Sequence, residues 1–466
     1  MALSFREENA KTLAALLGVD EEEAAQLLAV RMLITYDAAC TTAGEIARAV
    51  TALLARTVSE ATATNEGRFA AELIIGTLQA RTAGPHVWLS ANGEGAEIAT
   101  SRLPDAHIGS LHGALALLTS CYASALLMAV ALQDRLPLAP ASNVTLNWTA
   151  LFGTDLGFLR QKCELGTAYL AGAGAVGNAF LYALKTFSVE GQLYVCDPKE
   201  VMPGSLNRCL WFTHADLNQP KATRLCALAQ PHFKHLRLTP HVGALKEAVK
   251  LYGGGGPPER LIVGVDSRRV RRSLQLEFPK EVFDASTTDI REIVLHFNRQ
   301  PSSLACLSCT YPENERELTQ QQHIAEALGL DSADVQVDLV SPSIAAKILR
   351  TYPGLKLEDL IGRAFDTLFK ELCGQGVLRA TEGRQVLAPF SFVSVLAGTY
   401  LAIELVRRLT LGVEAATFNY WRASPWHNPI LALRQQRGMI EDCEFCGNTT
   451  LKAVNAQVWG ASSEVA

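Results

Sequence analysis

Gly172, Gly174 and Gly177 form the pattern GxGxxG between a short apolar segment and a predicted helix. The first two glycines let a backbone turn tightly and approach a phosphate, and the helix N-terminus supplies N–H groups and partial positive charge. Asp197 lies 20 residues beyond Gly177 at the end of the next predicted strand, where a carboxylate can hold ribose hydroxyls. We therefore predict a nucleotide or dinucleotide site; the alternative is a glycine turn that only packs a helix on a sheet.

Polar and basic residues follow Asp197 within 25 positions, namely Asn207, Arg208 and Lys221. A dinucleotide oxidoreductase has no need of such a cluster, whereas cleavage of a triphosphate requires that the departing pyrophosphate be neutralised. Taken alone, each residue is more often a solvated surface group. Asp266, at the end of the predicted strand LIVGV, is suited to bind magnesium, to cap the following helix, or to do both. The cluster favours ATP over NAD.

Four of the eleven cysteines form two CxxC pairs, Cys306 with Cys309 and Cys443 with Cys446. The pairs are about 134 residues apart, and four thiolates suit tetrahedral zinc. Because no further ligand lies near them in the sequence, we predict a structural Zn²⁺ site that clamps the C-terminal tail to the start of an insertion. Two unrelated thiol pairs or a redox dithiol are the alternatives.

Length and composition restrict the class of protein. The 466 residues suffice for two to four domains, and 48% hydrophobic with 19% charged residues is typical of a globular protein. The odd number of cysteines and the early charges at Arg6, Glu7 and Glu8 argue against a secreted disulfide framework, so we predict a cytoplasmic protein. A net charge of −5 without a long basic run predicts no nucleic-acid partner.

One uncharged segment, residues 112–133, is long enough to span a bilayer. It has few flanking basic residues, and its Thr119, Ser120 and Ser124 suit close packing against protein. No other segment offers a second span or an aromatic belt. We predict a buried helix and no membrane partner.

The elements before residue 155 form a small α/β unit. Residues 1–65 have helical spacing of Ala, Leu and Glu, and residues 86–90 and 143–152 are predicted strands on either side of the apolar helix. The glycines of this unit do not make a phosphate loop.

The elements after Gly166 change to strand, glycine turn, helix and strand, which indicates a doubly wound parallel sheet with a further strand at 261–265. A polar, helical stretch between residues 310 and 384 is too long for an ordinary connection and is a candidate functional insertion. A second apolar helix at 389–409 returns to the core.

The order of GAGAVG, Asp197, SLNR, Lys221, Asp266 and the two CxxC pairs resembles the ThiF/MoeB/ubiquitin-activating adenylyltransferase superfamily over about residues 155–450. Members of that superfamily use ATP and Mg²⁺ to adenylate the C-terminal glycine of a ubiquitin-like or sulfur-carrier protein. The resemblance implies that Asp197 binds ribose, that Asn207, Arg208 and Lys221 bind phosphates, and that Asp266 binds magnesium.

Two positions depart from the family pattern. The second acid of the usual DxDxV is Lys199 here, and the glutamine usual after the arginine is Cys209. The nucleotide contacts near Lys199 therefore differ from those of the family.

Cys373, in LFKELCGQGVLRATEG, resembles the catalytic cysteine of the family. It lies beside Gly374 and Gly376, which allow a substrate tail to approach closely. Its residue type alone indicates a buried structural cysteine. The spacing to GVL is one residue short, and the usual Gly-Pro is displaced to Ala388 and Pro389.

The resemblance implies an α/β fold of four parts. These are a helical segment plus an inactive adenylation-like half (1–155), an active Rossmann-like adenylation domain (156–309), a crossover insertion with the catalytic cysteine (310–388), and a return to the core with the second cysteine pair (389–466). The fused inactive half is closest to bacterial ubiquitin-activating-like enzymes of Bil-type antiphage operons. Such a chain is a monomer with pseudo-twofold halves, or a homodimer.

The predicted reaction is adenylation of a ubiquitin-like (β-grasp) protein, followed by a thioester on Cys373 and transfer to a conjugating enzyme. A sulfur-carrier adenylyltransferase of the ThiF or MoeB kind is the first alternative, although simple carrier enzymes lack the extra N-terminal half. An NAD-dependent oxidoreductase or a nucleotide-sensing module is the second.

Overall fold

Two sheets form the framework of the protein. The computed structural model describes residues 5–460, apart from 134, 137, 154, 255, 314, 338, 375–388, 413–416 and 431–432. The first sheet contains the strands β1 Arg31–Thr35, β2 Glu60–Thr62, β3 Ala71–Ile75, β4 His86–Ala91, β5 Gly95–Ala99 and β6 Asn143–Asn147. Their order is β2-β1-β3-β4-β5-β6, in which β1 to β4 are parallel and β5 and β6 are antiparallel.

The second sheet has the doubly wound parallel arrangement predicted from the sequence. Its strands are β7 Lys162–Ala171, β8 Ser188–Cys196, β9 His235–His241, β10 Arg260–Val263, β11 Glu281–Thr287, β12 Ile293–Arg299, β13 Tyr420–Ala423 and β14 Arg434–Gln435. The order is β14-β13-β12-β11-β10-β7-β8-β9, and β7 to β11 are parallel. The chain moves outward from β7 to β9 and then returns to the other side of β7 with β10. Ligands of such sheets bind at the carboxyl ends of the strands where this reversal occurs.

Helices cover both sheets. The described residues contain α1 Phe5–Leu17, α2 Glu21–Leu28, α3 Thr41–Leu54, α4 Gly113–Ala131, α5 Trp148–Phe152, α6 Ala175–Leu184, α7 Lys221–Ala229, α8 Leu245–Tyr252, α9 Arg268–Gln275, α10 Leu307–Thr310, α11 Glu315–Leu328, α12 Pro342–Thr351, α13 Leu357–Leu360, α14 Phe365–Gly374, α15 Ser391–Leu411 and α16 Thr449–Trp459. The mixed α/β class predicted from the sequence is confirmed.

The two apolar helices α4 and α15 join the sheets. Helix α4 packs on β3, β4 and β5, helix α15 packs on β7, β11 and β12, and the two helices contact each other. The hydroxyls of Tyr122 and Tyr400 lie 3.1 Å apart across this contact, and Ser391 Oγ donates to the Leu53 carbonyl at 2.6 Å. One continuous apolar core therefore includes residues of both halves of the chain.

Helix α4 is the one helix of the described residues that is long and apolar enough to cross a membrane, and 94% of its 18-residue apolar window is buried in the protein. The hydroxyls of its threonine and serines are satisfied within the helix: Thr119 donates to the Leu115 carbonyl at 2.8 Å and Ser120 to the Ala116 carbonyl at 2.7 Å. The segment is thus a buried helix, as predicted.

Two details differ from the sequence predictions. Residues 1–65 contain the strands β1 and β2 as well as helices, because Met32, Leu33 and Ile34 form a short apolar run that is fully buried. The predicted strand at 143–152 ends at Asn147, whose side chain accepts a hydrogen bond from Ala150 N at 2.8 Å and so begins α5. A capping side chain of this kind stops a strand and starts a helix.

The insertion has an apolar core of its own. Helices α11 to α14 and the loops between them bury a separate cluster that includes Leu328, Ile348, Leu360 and Leu368. The insertion is therefore a small packed unit beside the second sheet, and α15 follows it. The boundaries drawn from the sequence remain a prediction.

The contact between α6 and α15 generates a stability prediction. A Cβ atom on Gly398 would lie 2.5 Å from Phe180 N and 2.6 Å from Ala179 C, whereas one on Gly44 would meet first the end of the Arg48 side chain, at 3.3 Å. We expect Gly398→Ala to lower the free energy of unfolding by about 1–3 kcal/mol in urea denaturation, because backbone atoms cannot give way. Gly44→Ala should be neutral or stabilising by up to about 1 kcal/mol, the usual effect in a helix. Equal stability of the two variants would contradict this packing argument.

Candidate functional site

The three glycines of the turn after β7 differ in what surrounds them. Gly172 has φ +99°, and a Cβ atom there would lie 3.0 Å from the Gly264 carbonyl group. A Cβ on Gly177 would lie 2.0 Å from the Gly172 oxygen, whereas one on Gly174 would meet no atom within 4 Å. Gly172 and Gly177 thus permit close backbone packing, and Gly174 leaves open space at the N-terminus of α6, where a phosphate can approach.

Asp197 braces the same turn from the end of β8. Its carboxylate is buried and accepts hydrogen bonds from Ala173 N and from Lys199 N, both at 2.8 Å. Each carboxylate oxygen can accept a further bond, so the group is still able to hold a hydroxyl of a ribose. Asp197 lines the cavity at the carboxyl edge of the sheet, together with Gly172 and Gly174.

Arg208 and Lys221 lie on the wall of that cavity, but Asn207 does not. Asn207 is fully buried; its amide nitrogen donates to Asn9 Oδ1 at 3.0 Å, and its oxygen accepts from an Arg208 guanidinium nitrogen at 2.9 Å. Arg208 also donates to the Gly204 carbonyl at 3.1 Å. In this geometry Asn207 orients Arg208, and of the three residues only Arg208 and Lys221 face the cavity.

The N-terminal half contributes residues that the sequence analysis missed. Glu8, Lys11 and Thr12 of α1 line the same cavity. Behind them, the Arg56 guanidinium donates to the carbonyl of Leu206 and reaches two further carbonyls of the same loop at 3.0 and 3.1 Å. Burial lowers the pKa of Arg56. No sequence motif marks these residues, because they reach the cavity and its loop only through the contact between the two halves.

Asp266 forms an ion pair with Lys199, with 3.4 Å between the Lys199 Nζ and a carboxylate oxygen. The Asp266 side chain is 65% exposed and lines the cavity. It does not cap α9, since the capping side chain is Ser267, which accepts from Val270 N at 3.3 Å. Lys199, which departs from the family pattern, therefore faces the carboxylate predicted to bind magnesium.

The cavity extends from the glycine turn to the insertion. Its volume is about 1900 Å³, and Phe369 and Leu372 of α14 are part of its wall. Pockets for small molecules measure roughly 300–1,000 Å³, so the space exceeds what a nucleotide alone requires. The backbone of Cys373 lies in the last turn of α14, directly after Leu372; its side chain is outside the described residues.

The other cysteines of the nucleotide half are poor nucleophiles in this geometry. Burial raises the pKa of Cys226 to about 12 and that of Cys163 to about 11. Burial also raises the pKa of Cys196 and Cys209, both of which line the cavity. Because the thiolate is the reactive form, these residues act as core or lining groups at neutral pH.

The two CxxC pairs meet in one cluster. Cys306, Cys309, Cys443 and Cys446 are all buried, with every sulfur within 4.8 Å of the others. Cys306 Sγ lies 3.7 Å from both Cys309 Sγ and Cys443 Sγ. Zinc–sulfur bonds of about 2.3 Å in a tetrahedron place sulfur atoms about 3.8 Å apart, so the cluster has the size that zinc requires.

The charge state of the cluster also fits a cation. Hydrogen bonds from Cys306, and from the other two thiols, hold the pKa of Cys309 far below its ordinary value. Hydrogen bonding with Cys306 likewise lowers the pKa of Cys443 to about 6. The hydrogen bond with Cys309 in turn raises the pKa of Cys306, so the four thiols do not all ionise by themselves. A Zn²⁺ ion between them would supply the positive charge that lets all four act as thiolate ligands.

The glycine turn generates a prediction about nucleotide affinity. Gly174→Ala should fold normally, since open space surrounds the new Cβ, yet it should weaken nucleotide binding at least about tenfold by obstructing the phosphate. Gly177→Ala should instead destabilise the protein, because its Cβ would overlap the Gly172 carbonyl. Isothermal titration with ATP and thermal unfolding separate the two effects; a Gly174→Ala variant with unchanged affinity would count against a phosphate site.

The cysteine cluster predicts a metal content. We expect one zinc per chain by elemental analysis, and we expect Cys443→Ser to lose it and to unfold at a lower temperature. Cys40→Ser is the matched control, because Cys40 is a half-buried cysteine outside the cluster. Wild-type protein that is purified without metal and is as stable as the zinc-loaded protein would refute the assignment.

Comparison with known proteins identifies the family. The ThiF family model matches residues 148–444, and the E1 N-terminal domain model matches residues 3–151. The chain is 27% identical over 259 residues to the uncharacterized protein y4jF of Sinorhizobium fredii (strain NBRC 101917 / NGR234), which covers 52% of this chain and 49% of that protein. The chain thus spans about half the length of this curated relative.

Solved structures with a similar arrangement include E. coli MccB, at 12% identity and a TM-score of 0.39, which covers 78% of this chain and 95% of MccB. Another is E. coli tRNA N6-threonylcarbamoyladenosine dehydratase, TcdA, at 13% identity and a TM-score of 0.30, over 57% of this chain and 94% of TcdA. The ThiF model alone covers more than half of the sequence and includes the glycine turn, Asp197, Arg208, Lys221 and Asp266. The chain therefore belongs to the ThiF family.

Proposed function

We propose that this chain uses ATP and Mg²⁺ to adenylate the C-terminal carboxylate of a ubiquitin-like protein. The observation that carries the proposal is the cavity at the carboxyl edge of the second sheet. Its wall combines the glycine turn, Asp197, Arg208, Lys221 and Asp266. An open helix N-terminus, two cations and a metal-binding carboxylate are what cleavage of a triphosphate needs.

Each residue has a part in the proposed reaction. The N–H groups at the start of α6 bind phosphate beside Gly174, and Asp197 holds the ribose. A carboxylate oxygen of the partner protein attacks the α-phosphorus, the bond to the β-phosphate oxygen breaks, and pyrophosphate leaves as the acyl-adenylate forms. Arg208 and Lys221 neutralise the charge that develops on the departing pyrophosphate. Magnesium, held by Asp266, supplies further positive charge to the phosphates when bound.

A ubiquitin-like partner is supported by the N-terminal half and by the size of the cavity. The match of residues 3–151 to the E1 N-terminal domain is what a ubiquitin-activating type of chain predicts. The cavity has room for a polypeptide tail beside a nucleotide, and it reaches Leu372 on α14. In the second step, the Cys373 thiolate attacks the acyl carbon, AMP leaves, and a thioester forms for transfer to a conjugating enzyme.

The narrower resemblance to Bil-type antiphage enzymes remains a prediction, and so does the cytoplasmic location. A sulfur-carrier adenylyltransferase would share the first step and lack the thioester on Cys373. An NAD-dependent oxidoreductase would instead turn over NADH and release no pyrophosphate.

The decisive experiment is exchange of labelled pyrophosphate into ATP, with small β-grasp proteins from the same genome tested as substrates. We expect exchange in the wild type and a loss of about 100-fold or more in Lys221→Ala, the usual effect of removing one charge-stabilising group. Lys234→Ala, an exposed lysine that does not line the cavity, is the control.

The Cys373→Ala variant should keep the exchange and lose the thiol-sensitive adduct with the partner protein. If the adduct persists in this variant, Cys373 is not the thioester cysteine. If the adduct never forms while exchange does, the carrier-adenylyltransferase alternative is correct. If the wild type shows no exchange with any carrier, the proposed adenylation is wrong.

A further inference from the structure

Helix α9 begins two residues after Asp266 with an unusual sequence, RRVRR. Four like charges in the first turns of a helix repel one another, and cations at a helix N-terminus oppose the helix dipole. The four arginines therefore destabilise the isolated helix, and residues outside α9 must compensate for their charge.

Arg271 holds the loop that carries Asp266. Its side chain is buried; it pairs with the fully buried Asp284 and donates to the Val265 carbonyl, one residue before Asp266. Asp284 also accepts a hydrogen bond from the Tyr311 hydroxyl at 2.6 Å. Tyr311 follows the first cysteine pair at the start of the insertion. A buried network thus joins that start to the backbone next to Asp266.

Arg272, the next residue of α9, holds the insertion. It is buried and makes two hydrogen bonds with the Glu317 carboxylate of α11, at 2.9 and 2.5 Å, and one with the Tyr311 carbonyl at 3.1 Å. Its Nε lies 3.7 Å from Glu444, which accepts from Ser308 Oγ at 3.0 Å. Ser308 and Glu444 lie inside the two CxxC sequences, so Arg272 contacts α11 and the second cysteine pair directly, and the first pair through Glu444.

The remaining two arginines of α9 also reach the insertion. Arg268 donates to the Pro312 carbonyl at 3.2 Å, and Arg269 donates to the Val335 carbonyl. All four guanidinium groups therefore contact residues between 311 and 335. A buried guanidinium is retained only when carboxylates and carbonyls compensate for its lost hydration, and removing it leaves its partner charge uncompensated.

We propose that Arg271 and Arg272 are positioning residues that fix the insertion relative to the nucleotide site. Arg271 holds Asp266 through the Val265 carbonyl, and Arg272 holds α11 through Glu317. The roles of the two positioned parts rest on the proposed function: Asp266 as the magnesium-binding carboxylate, and the insertion as the unit that carries Cys373. The positioning itself rests on the contacts of α9.

Hydrogen–deuterium exchange of the full chain, without nucleotide, tests the positioning. In Arg272→Gln we expect amides of residues 307–328 to exchange at least about tenfold faster than in the wild type, because a buried pair is broken. Arg260→Gln is the matched control. This variant breaks the Arg260–Glu281 pair (2.7 Å) in the second sheet, which does not involve the insertion. It should leave the exchange rates of residues 307–328 unchanged. The zinc content of each variant is measured in parallel and should equal that of the wild type.

Unchanged exchange at 307–328 in Arg272→Gln overturns the proposal. Faster exchange accompanied by loss of zinc overturns it too, because the effect would then belong to the metal site.

Tyr311→Phe tests the Arg271 side and removes only one hydroxyl, so the chain should still fold. We expect faster exchange at residues 264–267 and, in pyrophosphate exchange, a several-fold rise in the half-saturating Mg²⁺ concentration with little change in the maximal rate. A merely structural loss would lower the rate without altering the Mg²⁺ dependence, and Arg260→Gln should alter neither. Unchanged deuterium exchange at residues 264–267 would contradict the role of Arg271.

The two proposals can fail separately. Absence of pyrophosphate exchange in the wild type would refute the proposed function, while the comparison of deuterium exchange would still decide whether Arg271 and Arg272 position the insertion.

Discussion

The close contact of three backbone segments at the reversal of the second sheet is the constraint on which the site depends. A Cβ on Gly264 would lie 3.0 Å from Gly177 N, and one on Gly172 would lie 3.0 Å from the Gly264 carbonyl. Only glycine at these positions lets the turn after β7, the start of α6 and the turn after β10 touch. This contact brings the glycine turn next to the loop that ends in Asp266. The positions of the turn and of the loop therefore depend on the lack of a side chain at these three glycines.

A cluster of buried charges around Glu404 lies beside the core that the two halves share, and Arg434 extends from it to the N-terminal half. Burial alone would raise the pKa of the fully buried Glu404, but the charges of Arg407 and Arg408 outweigh burial and hold its pKa below the ordinary value. Arg407 lies 2.8 Å from Glu404, and Arg434 donates to the Leu151 carbonyl of the N-terminal half at 2.6 Å. Buried pairs contribute little net stability, yet a mispacked arrangement would leave them uncompensated. The pairs of Glu404 lie within α15, whereas the contact of Arg434 with Leu151 joins α15's half to the N-terminal half and favours one relative placement of the two.

The sequence could predict those parts of the site that depend on local pattern. The glycine turn, Asp197 and the cysteine pairs each follow from residue type and spacing, and the fold class follows from alternation of strands and helices. The family resemblance implies a phosphate contact for Asn207, whereas its contact with Asn9 of α1 is set by how the halves pack. Arg56 and Lys11 were missed for the same reason. No local sequence pattern reveals that a single basic residue of the N-terminal half, such as Arg56, contacts a loop of the other half.

The cysteine cluster and Ser391 fix the two ends of the insertion independently of what lies between them. The insertion departs directly after Cys309, in the fourfold sulfur cluster, and the chain returns at Ser391, whose hydroxyl binds the Leu53 carbonyl of the N-terminal half. Closing a loop costs little more entropy when the loop becomes longer. Residues 311–335 are constrained by their contacts with the arginines of α9. The rest of the insertion can therefore change in length and sequence over evolution without disturbing the sheet beneath it.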